Sequence, residues 1–346
     1  MKARLAEVKR AVEEGRPVAD ARLTLGAYLE QWIAGLPAGG LKPSTVAYYK
    51  RYVRFHVLSS ELARRSLARL DASDLRRIHA EKLASGLSST TVHHLHAVLH
   101  LALNAAVADG KAARNVAAII GRSRRPKVAR KEMTTIADGD QPSRFLEVAR
   151  RDRLEALLVL ALTTGMRQGE LRALRWKDVH LDRKQPALSV VGSLQGASRS
   201  SLSIGTPKSG KARWVPLGGR AREALREHRQ RQEIERRQLS AEWHDSGLVF
   251  TTLAVGRFGE YVSISEMRGA LHRALATAGL PRIRFHDLRH TAATMLIAGG
   301  VPIPTVAAIL GQADPSTTAR LYAHVTPTMQ QSAVDIMDRA FREEKR

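Results

Sequence analysis

A ten-residue basic segment divides the chain into two parts with different hydrophobic patterns. Residues 122–131 read RSRRPKVARK and hold six basic residues, one proline and no acidic residue. Before this segment the apolar residues follow helical spacing, and alternation typical of strands begins only after it. A chain of 346 residues is long enough for about two domains. We therefore predict two domains joined by a basic linker at 122–131.

Capping residues and helical spacing predict an all-helical bundle over residues 23–121. Ser, Thr and Asp stand where the apolar periodic segments begin, which is typical of helix N-termini. The predicted helices begin near Thr24, Ser44, Asp71 and Ser88. Residues 1–22 predict one further charged helix with little apolar face. We expect it to be either a linking helix left from a module that this sequence does not contain, or the start of a simpler two-domain chain.

The second domain, 132–346, is predicted to combine helices with a small antiparallel sheet. β-Branched residues alternate in ALSVV, SRSSLSI and ARWVPL, between residues 179 and 217. Helical spacing predicts helices over 152–162, 170–176, 219–240, 265–278, 287–298, 303–310, 316–322 and 327–342. The predicted fold class is therefore mainly α with a small antiparallel β-sheet, in a two-domain arrangement.

The charge balance indicates a polyanionic partner. Lys and Arg outnumber Asp and Glu by 56 to 33, which gives a formal net charge of +23. Residues 1–131 alone carry a net +14, against +9 for the longer remainder. A solubility bias explains part of this surplus but not its uneven distribution. Only 5% of the residues are aromatic, which argues against a platform that stacks single-stranded bases.

Features that the sequence lacks exclude other classes of protein. The chain has no cysteine, so disulfides, thiolate metal sites and a cysteine nucleophile are excluded. No apolar run reaches the roughly 18 residues of a membrane span, and the sequence does not begin with a signal-peptide core. We therefore expect a cytoplasmic protein without a membrane partner.

Two groups of basic residues are candidates for contacts with phosphates. In the first domain they are Lys50, Arg51 and Arg54, which stand among the aromatic residues of VAYYKRYVRFHVL. In the linker they are Arg122, Arg124, Arg125, Lys127, Arg130 and Lys131. A solvated linker is the alternative for the second group. Its position directly behind a basic bundle favours binding to a phosphate backbone.

Four segments of the second domain hold ionisable residues where burial makes charge costly. The residues concerned are Arg167 with Glu170, Lys208, His286 with Arg289, and Tyr322. Singly, each has an ordinary structural explanation, such as an ion pair or a solvated turn. Together they suit phosphoryl transfer, because guanidiniums hold phosphate oxygens, lysine and histidine move protons, and a phenol is a nucleophile. No acidic triad accompanies them, so a two-metal nuclease site is not needed.

These segments resemble the sequence boxes of tyrosine recombinases of the phage integrase family. The matching strings are TTGMRQGEL with LRWKDV, PKSGKARWVPL, HDLRHTAAT and STTARLYAHV, in the family's order. The resemblance covers residues 132–346, and residues 23–121 resemble the family's core-binding domain. It implies an enzyme that breaks and rejoins DNA through a 3′-phosphotyrosyl intermediate, without a metal or a cofactor.

The resemblance also implies partners and residue roles. The partners are double-stranded DNA and a homo-tetramer on two DNA sites, with a DNA-bending accessory protein or a directionality factor as further candidates. The tail helix would dock on a neighbouring protomer, or alternatively pack on its own domain. The implied roles are phosphate binding by Arg167, Arg289, His286 and Gln312, protonation of the leaving oxygen by Lys208, nucleophilic attack by Tyr322, and orientation of Arg167 by Glu170.

Within the family we predict an integrase of a phage or mobile element of high-GC bacteria, associated with the nucleoid. The alternatives are a chromosome or plasmid dimer resolvase, a transposase, or a catalytically weak DNA-binding protein. The helices at 303–322 could serve a regulator as a helix-turn-helix, but a regulator would not need the ionisable set. Nothing in the sequence resembles the lysine and cap sequences of type IB topoisomerases.

Gln312 departs from the family pattern, which usually has His or Trp after the Leu-Gly of the last box. An amide still donates a hydrogen bond to phosphate but cannot carry charge, and losing one such donor costs roughly 10²–10³ in rate. We therefore predict a working but weakened enzyme, in which Gln312→His accelerates cleavage. Single-turnover cleavage of a nicked duplex measures this, and an unchanged rate would show that Gln312 does not weaken the enzyme.

Overall fold

The computed structural model describes residues 22–120, 134–196, 202–207 and 211–312. Contacts between Cα atoms divide the chain into two units, Met1–Lys131 and Glu132–Arg346. The predicted linker, most of the predicted N-terminal helix and the predicted helices after residue 312 lie outside the described residues. Among the helices that are described, none combines the length and the apolar character that crossing a membrane requires.

The first unit is helical throughout its described part, as predicted. Its α-helices are α1 (Leu25–Gly35), α2 (Pro43–Tyr52), α3 (Ala72–Ala84), α4 (Ser89–Ala108) and α5 (Val116–Ile119). A π-helical turn, Val53–Leu58, continues α2. Between residues 22 and 120 the chain forms no strand, and its one isolated β-bridge joins Thr24 to Ser66.

The predicted capping residues begin three of these helices. Thr24 Oγ1 accepts a hydrogen bond from Ala27 N at 3.2 Å, and Ser88 Oγ accepts one from Thr91 N at 3.2 Å. Asp71 and Asp74 form a reciprocal capping box at the start of α3. These bonds satisfy amide groups that a helix N-terminus leaves without partners.

Helix α4 supplies much of the core of the first unit. Its residues Leu95, Leu99 and Leu103 recur at intervals of four, so they lie on one face, and all three are buried. The buried Tyr28 joins α1 to α4, because its hydroxyl donates to the Ala102 carbonyl at 2.8 Å. The predicted helical periodicity therefore corresponds to a real core.

The second unit contains seven α-helices within its described part. They are α6 (Gln141–Ala149), α7 (Glu155–Thr164), α8 (Gln168–Ala173), α9 (Gly219–Leu239), α10 (Ile264–Thr277), α11 (Asp287–Ala298) and α12 (Ile303–Leu310). Helix α7 is central, since nearly all of its residues are buried. Its first residue, the buried Glu155, forms ion pairs with Arg220 at 2.6 Å and Arg231 at 3.3 Å.

The predicted strand region forms two small antiparallel sheets. The strands are β1 (Val179–His180), β2 (Ala187–Val190), β3 (Ser193–Gln195), β4 (Ser203–Gly205) and β5 (Arg213–Pro216). One sheet has the order β1-β2-β5, with Leu188 opposite Val215, and the other pairs β3 with β4, with Leu194 opposite Ile204. The predicted fold class, mainly α with a small antiparallel sheet, is confirmed.

The strands before and after Lys208 are not partners of each other. Strand β4 precedes this residue and pairs with β3, whereas β5 follows it and pairs with β2. The segment that contains Lys208 therefore connects two different sheets, although its sequence lies within the region predicted to form one small sheet. Val191 and Gly192 separate β2 from β3, and the Ile204 side chain lies 2.6 Å from the position that a Cβ on Gly192 would take.

His228 on α9 makes the stability of the second unit depend on pH. It is 1% exposed, its Nε2 donates to the Val249 carbonyl at 2.7 Å, and Nδ1 has no hydrogen-bond partner among the described residues. Burial lowers the pKa of His228 to about 4. The unfolded chain would bind this proton near pH 6.5, so the native state is disfavoured as the pH falls from about 6.5 to 4.

We therefore predict that His228 contributes on the order of 3 kcal/mol to the loss of stability between pH 7 and pH 4. Denaturant unfolding of the wild type and of His228→Gln at both pH values measures it. Because glutamine cannot ionise, the variant should lose less stability over this range. Equal losses in the two proteins would contradict the assignment.

Candidate active site

Arg167 lies directly after the central helix α7 and begins α8. Helix α7 ends at Gly165 with φ +60°, which turns the chain so that Arg167 becomes the N-terminal flanking residue of α8. Its Nη1 donates to Glu170 Oε1 at 2.9 Å, and its Nη2 donates to the Gly311 carbonyl at 2.9 Å. The guanidinium is thus held at the end of α12, with 21% of the side chain exposed.

Glu170 is a buried carboxylate shared by two arginines. Besides Arg167, it accepts hydrogen bonds from Arg213 Nη1 at 3.1 Å and Nη2 at 2.8 Å. Burial by itself raises the pKa of Glu170, but hydrogen bonds and charge from Arg213 and Arg167 hold it below its usual value. Glu170 is therefore ionised at neutral pH and is placed to orient Arg167.

Arg213 was not among the residues singled out from the sequence. It begins β5. Val215 on this strand and Leu217 directly after it are buried, so the same alternation places Arg213 inward. A charged residue in an inward position of a strand is the signal that would have found it. Trp214, on the opposite face of the strand, is 55% exposed.

Arg289 lies on α11 and is buried. Its Nη1 donates to the Gly165 carbonyl at 2.8 Å and to the Leu310 carbonyl at 2.7 Å. Gly165 follows α7 and Leu310 ends α12, so Arg289 joins three helices. Together with Arg167, it places two guanidiniums beside the same chain segment, 310–311.

His286 stands at the start of α11, three residues before Arg289. Burial first, and then the charges of His290 and Arg289, lower the pKa of His286 to about 4. The imidazole is therefore neutral at pH 7 in the DNA-free protein. The rings of His286 and His290 are 5.0 Å apart between centroids and nearly perpendicular.

Asp287 does not cap α11 in the way its position in the sequence suggests. Its carboxylate accepts hydrogen bonds from the backbone amide of Arg284 at 2.8 Å and from the Arg284 guanidinium at 3.0 and 2.7 Å. These contacts point back toward the preceding loop, so they fix the approach to α11 rather than its first amides. The pKa of Asp287 is lowered by these bonds although burial raises it.

Gln312 is the last residue of the described segment. Its backbone N–H donates to the Ala307 carbonyl at 2.9 Å, which closes the end of α12. The residue is half-buried. It directly follows Gly311, whose carbonyl binds Arg167. Arg167, Arg289 and Gln312 thus meet at one helix end. Lys208 and Tyr322 lie outside the described residues.

This geometry can bind a tetrahedral anion. Two guanidiniums close to one backbone segment can donate paired hydrogen bonds to phosphate oxygens, and a neutral imidazole can add one more donor. Within the described residues, no group of three or more His, Cys, Asp or Glu side chains is arranged to hold a metal ion.

The candidate DNA contacts lie partly within the first unit. Lys50, Arg51 and Arg54 are exposed on α2 and its π-helical continuation. The Arg51 guanidinium lies 5.9 Å from the ring centroids of both Tyr48 and Tyr52, which restrains it at the surface. The six candidates of the linker lie outside the described residues.

Comparison with known proteins identifies the family. Residues 136–329 match the model of the phage integrase family, which is more than half of the chain. An integrase of Streptomyces ambofaciens is 30% identical over 99% of this chain and 86% of its own length. A XerC-like tyrosine recombinase of Caldanaerobacter subterraneus subsp. tengcongensis is 28% identical over 92% of this chain and 84% of its own. The chain belongs to the phage integrase family of tyrosine recombinases, which are enzymes of site-specific DNA recombination.

Solved structures share the fold. The Tn1549 transposon integrase in complex with a circular intermediate DNA matches with a TM-score of 0.75 at 20% identity, over 90% of this chain and 99% of that one. A lambda integrase tetramer bound to a Holliday junction matches with a TM-score of 0.62 at 18% identity, over 85% of this chain and 79% of that one. The two-domain architecture predicted from the sequence is therefore confirmed.

A substitution at Gly165 tests the close packing of α7 on α12, whose ends both accept hydrogen bonds from Arg289. The φ of +60° at Gly165 disfavours any side chain, and an added Cβ would collide with the Leu310 side chain. We expect Gly165→Ala to destabilise the second unit by about 2–4 kcal/mol, from backbone strain and overpacking together. Denaturant unfolding measures the change. Gly219→Ala is the control, because nothing lies within 4 Å of its Cβ position; equal stability of the two variants would refute the argument.

Proposed function

We propose that this recombinase is an integrase, which inserts and excises the DNA of a phage or another mobile element. The observation that favours an integrase is the 30% identity to the integrase of Streptomyces ambofaciens over 99% of this chain. The meeting of Arg167 and Arg289 at residues 310–311, eleven residues before Tyr322 in the sequence, supports the chemistry that the candidate functions share. Transesterification of a phosphodiester requires both an anion site and a nucleophile.

In the proposed reaction, the Tyr322 hydroxyl attacks the scissile phosphate and forms a 3′-phosphotyrosyl bond. Arg167 and Arg289 stabilise the charge on the non-bridging oxygens, with hydrogen bonds from neutral His286 and from Gln312. The bond to the 5′ oxygen breaks, and this oxygen takes up a proton, which balances the proton that the tyrosine hydroxyl gives up. A 5′-hydroxyl of another strand then attacks the phosphotyrosine, which restores the DNA backbone and frees the tyrosine.

Lys208 is proposed to protonate the leaving 5′ oxygen, as a general acid. Its place in the chain supports this role, because Lys208 lies only five residues before Arg213. The Arg213 guanidinium contacts Glu170, which also binds Arg167. Because the phosphotyrosyl bond conserves the energy of the phosphodiester, the reaction requires neither nucleotide hydrolysis nor a metal.

The helical unit is proposed to bind duplex DNA through its basic surface. Lys50, Arg51 and Arg54 are exposed on one continuous helical segment. The linker candidates Arg122, Arg124, Arg125, Lys127, Arg130 and Lys131 would continue this contact along the phosphate backbone. Contacts of this kind fix the protein on DNA without reading its sequence. Action on chromosomal DNA would place the protein at the bacterial nucleoid.

A homo-tetramer on two DNA sites is proposed as the active assembly. Strand exchange between two duplexes breaks four strands, and each break consumes one tyrosine, so four active sites are needed. The lambda integrase tetramer on a Holliday junction supports this number. The tail at 327–342 is proposed to dock on a neighbouring protomer. An accessory DNA-bending protein or a directionality factor stays a candidate partner.

Dimer resolution and transposition are the second candidate functions. The XerC-like relative and the Tn1549 integrase favour them, because both match most of this chain. All three functions use the same chemistry, so they differ in the DNA sites that are joined. The choice of substrate in the experiment therefore separates them.

A covalent trap tests the proposed function. The full chain is incubated, without metal or nucleotide, with nicked duplexes taken from the DNA that flanks its gene. Cleavage near the nick releases a short fragment that carries the new 5′-hydroxyl. Once this fragment diffuses away, the strand cannot be rejoined, so the phosphotyrosyl product accumulates. We expect a protein–DNA band that resists SDS for the wild type and none for Tyr322→Phe.

Three results would contradict the proposal. A band of equal strength with Tyr322→Phe would show a different nucleophile. Tight binding of these duplexes without any covalent product would favour a DNA-binding protein. A product formed only with the replication-terminus or plasmid resolution sites would identify a dimer resolvase instead of an integrase.

A further inference from the structure

Arg213 is a partly buried arginine whose three side-chain nitrogens all donate to groups of the protein. Its Nη1 and Nη2 donate to the two carboxylate oxygens of Glu170 at 3.1 and 2.8 Å. Its Nε donates to the Ile309 carbonyl at 3.1 Å, and 11% of its side chain is exposed. With its donors directed inward, Arg213 is not placed to bind a phosphate, so any effect on DNA passes through its neighbours.

The first neighbour is the carboxylate that orients Arg167. Glu170 Oε1 accepts from both guanidiniums, at 2.9 Å from Arg167 and 3.1 Å from Arg213. Its Oε2 accepts from the Arg167 backbone amide at 3.0 Å and from Arg213 at 2.8 Å. Since Arg213 binds both oxygens, it sets the plane of the carboxylate, and that plane decides where the Arg167 guanidinium lies.

The second neighbour is the end of α12. A Cβ on Gly311, which has φ +66°, would lie 2.6–2.7 Å from the guanidinium atoms of Arg213. The same chain end binds Arg167 through the Gly311 carbonyl. Both arginines thus hold the backbone directly before Gln312, and glycine is required there for steric and conformational reasons.

We propose that Arg213 is a positioning residue for DNA cleavage. It holds Glu170 in the orientation that places Arg167, and it ties the strand that follows Lys208 to the helix end that precedes Tyr322. The inference rests on the proposed function, because positioning is measured by the rate of covalent attack on DNA. A purely structural ion pair is the alternative that the experiment must exclude.

The control for this experiment is a second arginine–glutamate pair in the same unit. Arg220 and the buried Glu155 are 2.6 Å apart, and their side chains are 24% and 2% exposed, against 11% and 0% for Arg213 and Glu170. Glu155 begins α7 and Gly165 follows its other end, so the control pair is separated from the site by the length of that helix.

The main measurement is the rate of covalent-complex formation at saturating DNA, together with DNA affinity and melting temperature. We expect Arg213→Met to lower the rate by about 10²-fold, since a small displacement of a reacting group has this effect. DNA affinity should change by less than about twofold. Arg220→Met should leave the rate near that of the wild type at a comparable loss of melting temperature. A wild-type rate in Arg213→Met, or equal losses in both variants, would overturn the proposal.

Two further variants separate positioning through Glu170 from other effects. If Arg213 acts through this carboxylate, the double variant Glu170→Gln with Arg213→Met should be no slower than the slower single variant. Losses that multiply would overturn this route. Arg213→Lys keeps the charge but not the planar fork, so we expect a rate between those of Arg213→Met and the wild type.

Hydrogen exchange tests the same contacts without DNA. We expect Arg213→Met to speed amide exchange in peptides from 168–173 and 303–312, and Arg220→Met to leave these peptides unchanged. Unaltered exchange in Arg213→Met would overturn the proposal even if the wild type formed no covalent product. If the wild type forms no covalent product but exchange is faster in Arg213→Met, the result counts against the proposed function and not against the positioning role.

Discussion

The ionised carboxylate of Glu170, buried between Arg167 and Arg213, is the interaction on which the site depends. A buried charge without a partner costs several kcal/mol, so neither arginine can leave without destabilising the other contacts of the carboxylate. Through these two arginines, helix α8, strand β5 and the end of α12 are held together. One negative charge therefore organises three segments that are far apart in the chain.

The remaining acceptors of these guanidiniums are backbone carbonyls at helix ends. Arg167 binds the Gly311 carbonyl, Arg213 that of Ile309, and Arg289 those of Gly165 and Leu310. The C-terminal end of a helix carries a partial negative charge, so it favours cations without neutralising them. Such a cluster keeps its positive charge for a phosphate, which suits the family's reaction on DNA.

Much of the fold was predictable because it follows from local rules. Thr24, Asp71 and Ser88 begin helices since their side chains satisfy free amides, and the periodicity of α4 matched its buried face. The separation of β3–β4 from β1-β2-β5 was not predictable, since alternation along a strand does not show which strand it pairs with. Arg213 was missed for a related reason: its partner Glu170 is 43 residues away.

The sequence by itself determined the helical and strand segments, the positions of the capping residues, and the ionisable residue types in the order of the phage integrase family. These properties depend on spacing along the chain, which the sequence states directly. Only the tertiary structure decided which groups meet: Arg167 and Arg289 at residues 310–311, and Arg213 on Glu170. The contacts at residues 310–311 arise from packing of α7, α11 and α12, where the positive-φ glycines Gly165 and Gly311 let the helices approach, and the Arg213 contact arises from the placement of β5 beside α8. No local pattern encodes either approach.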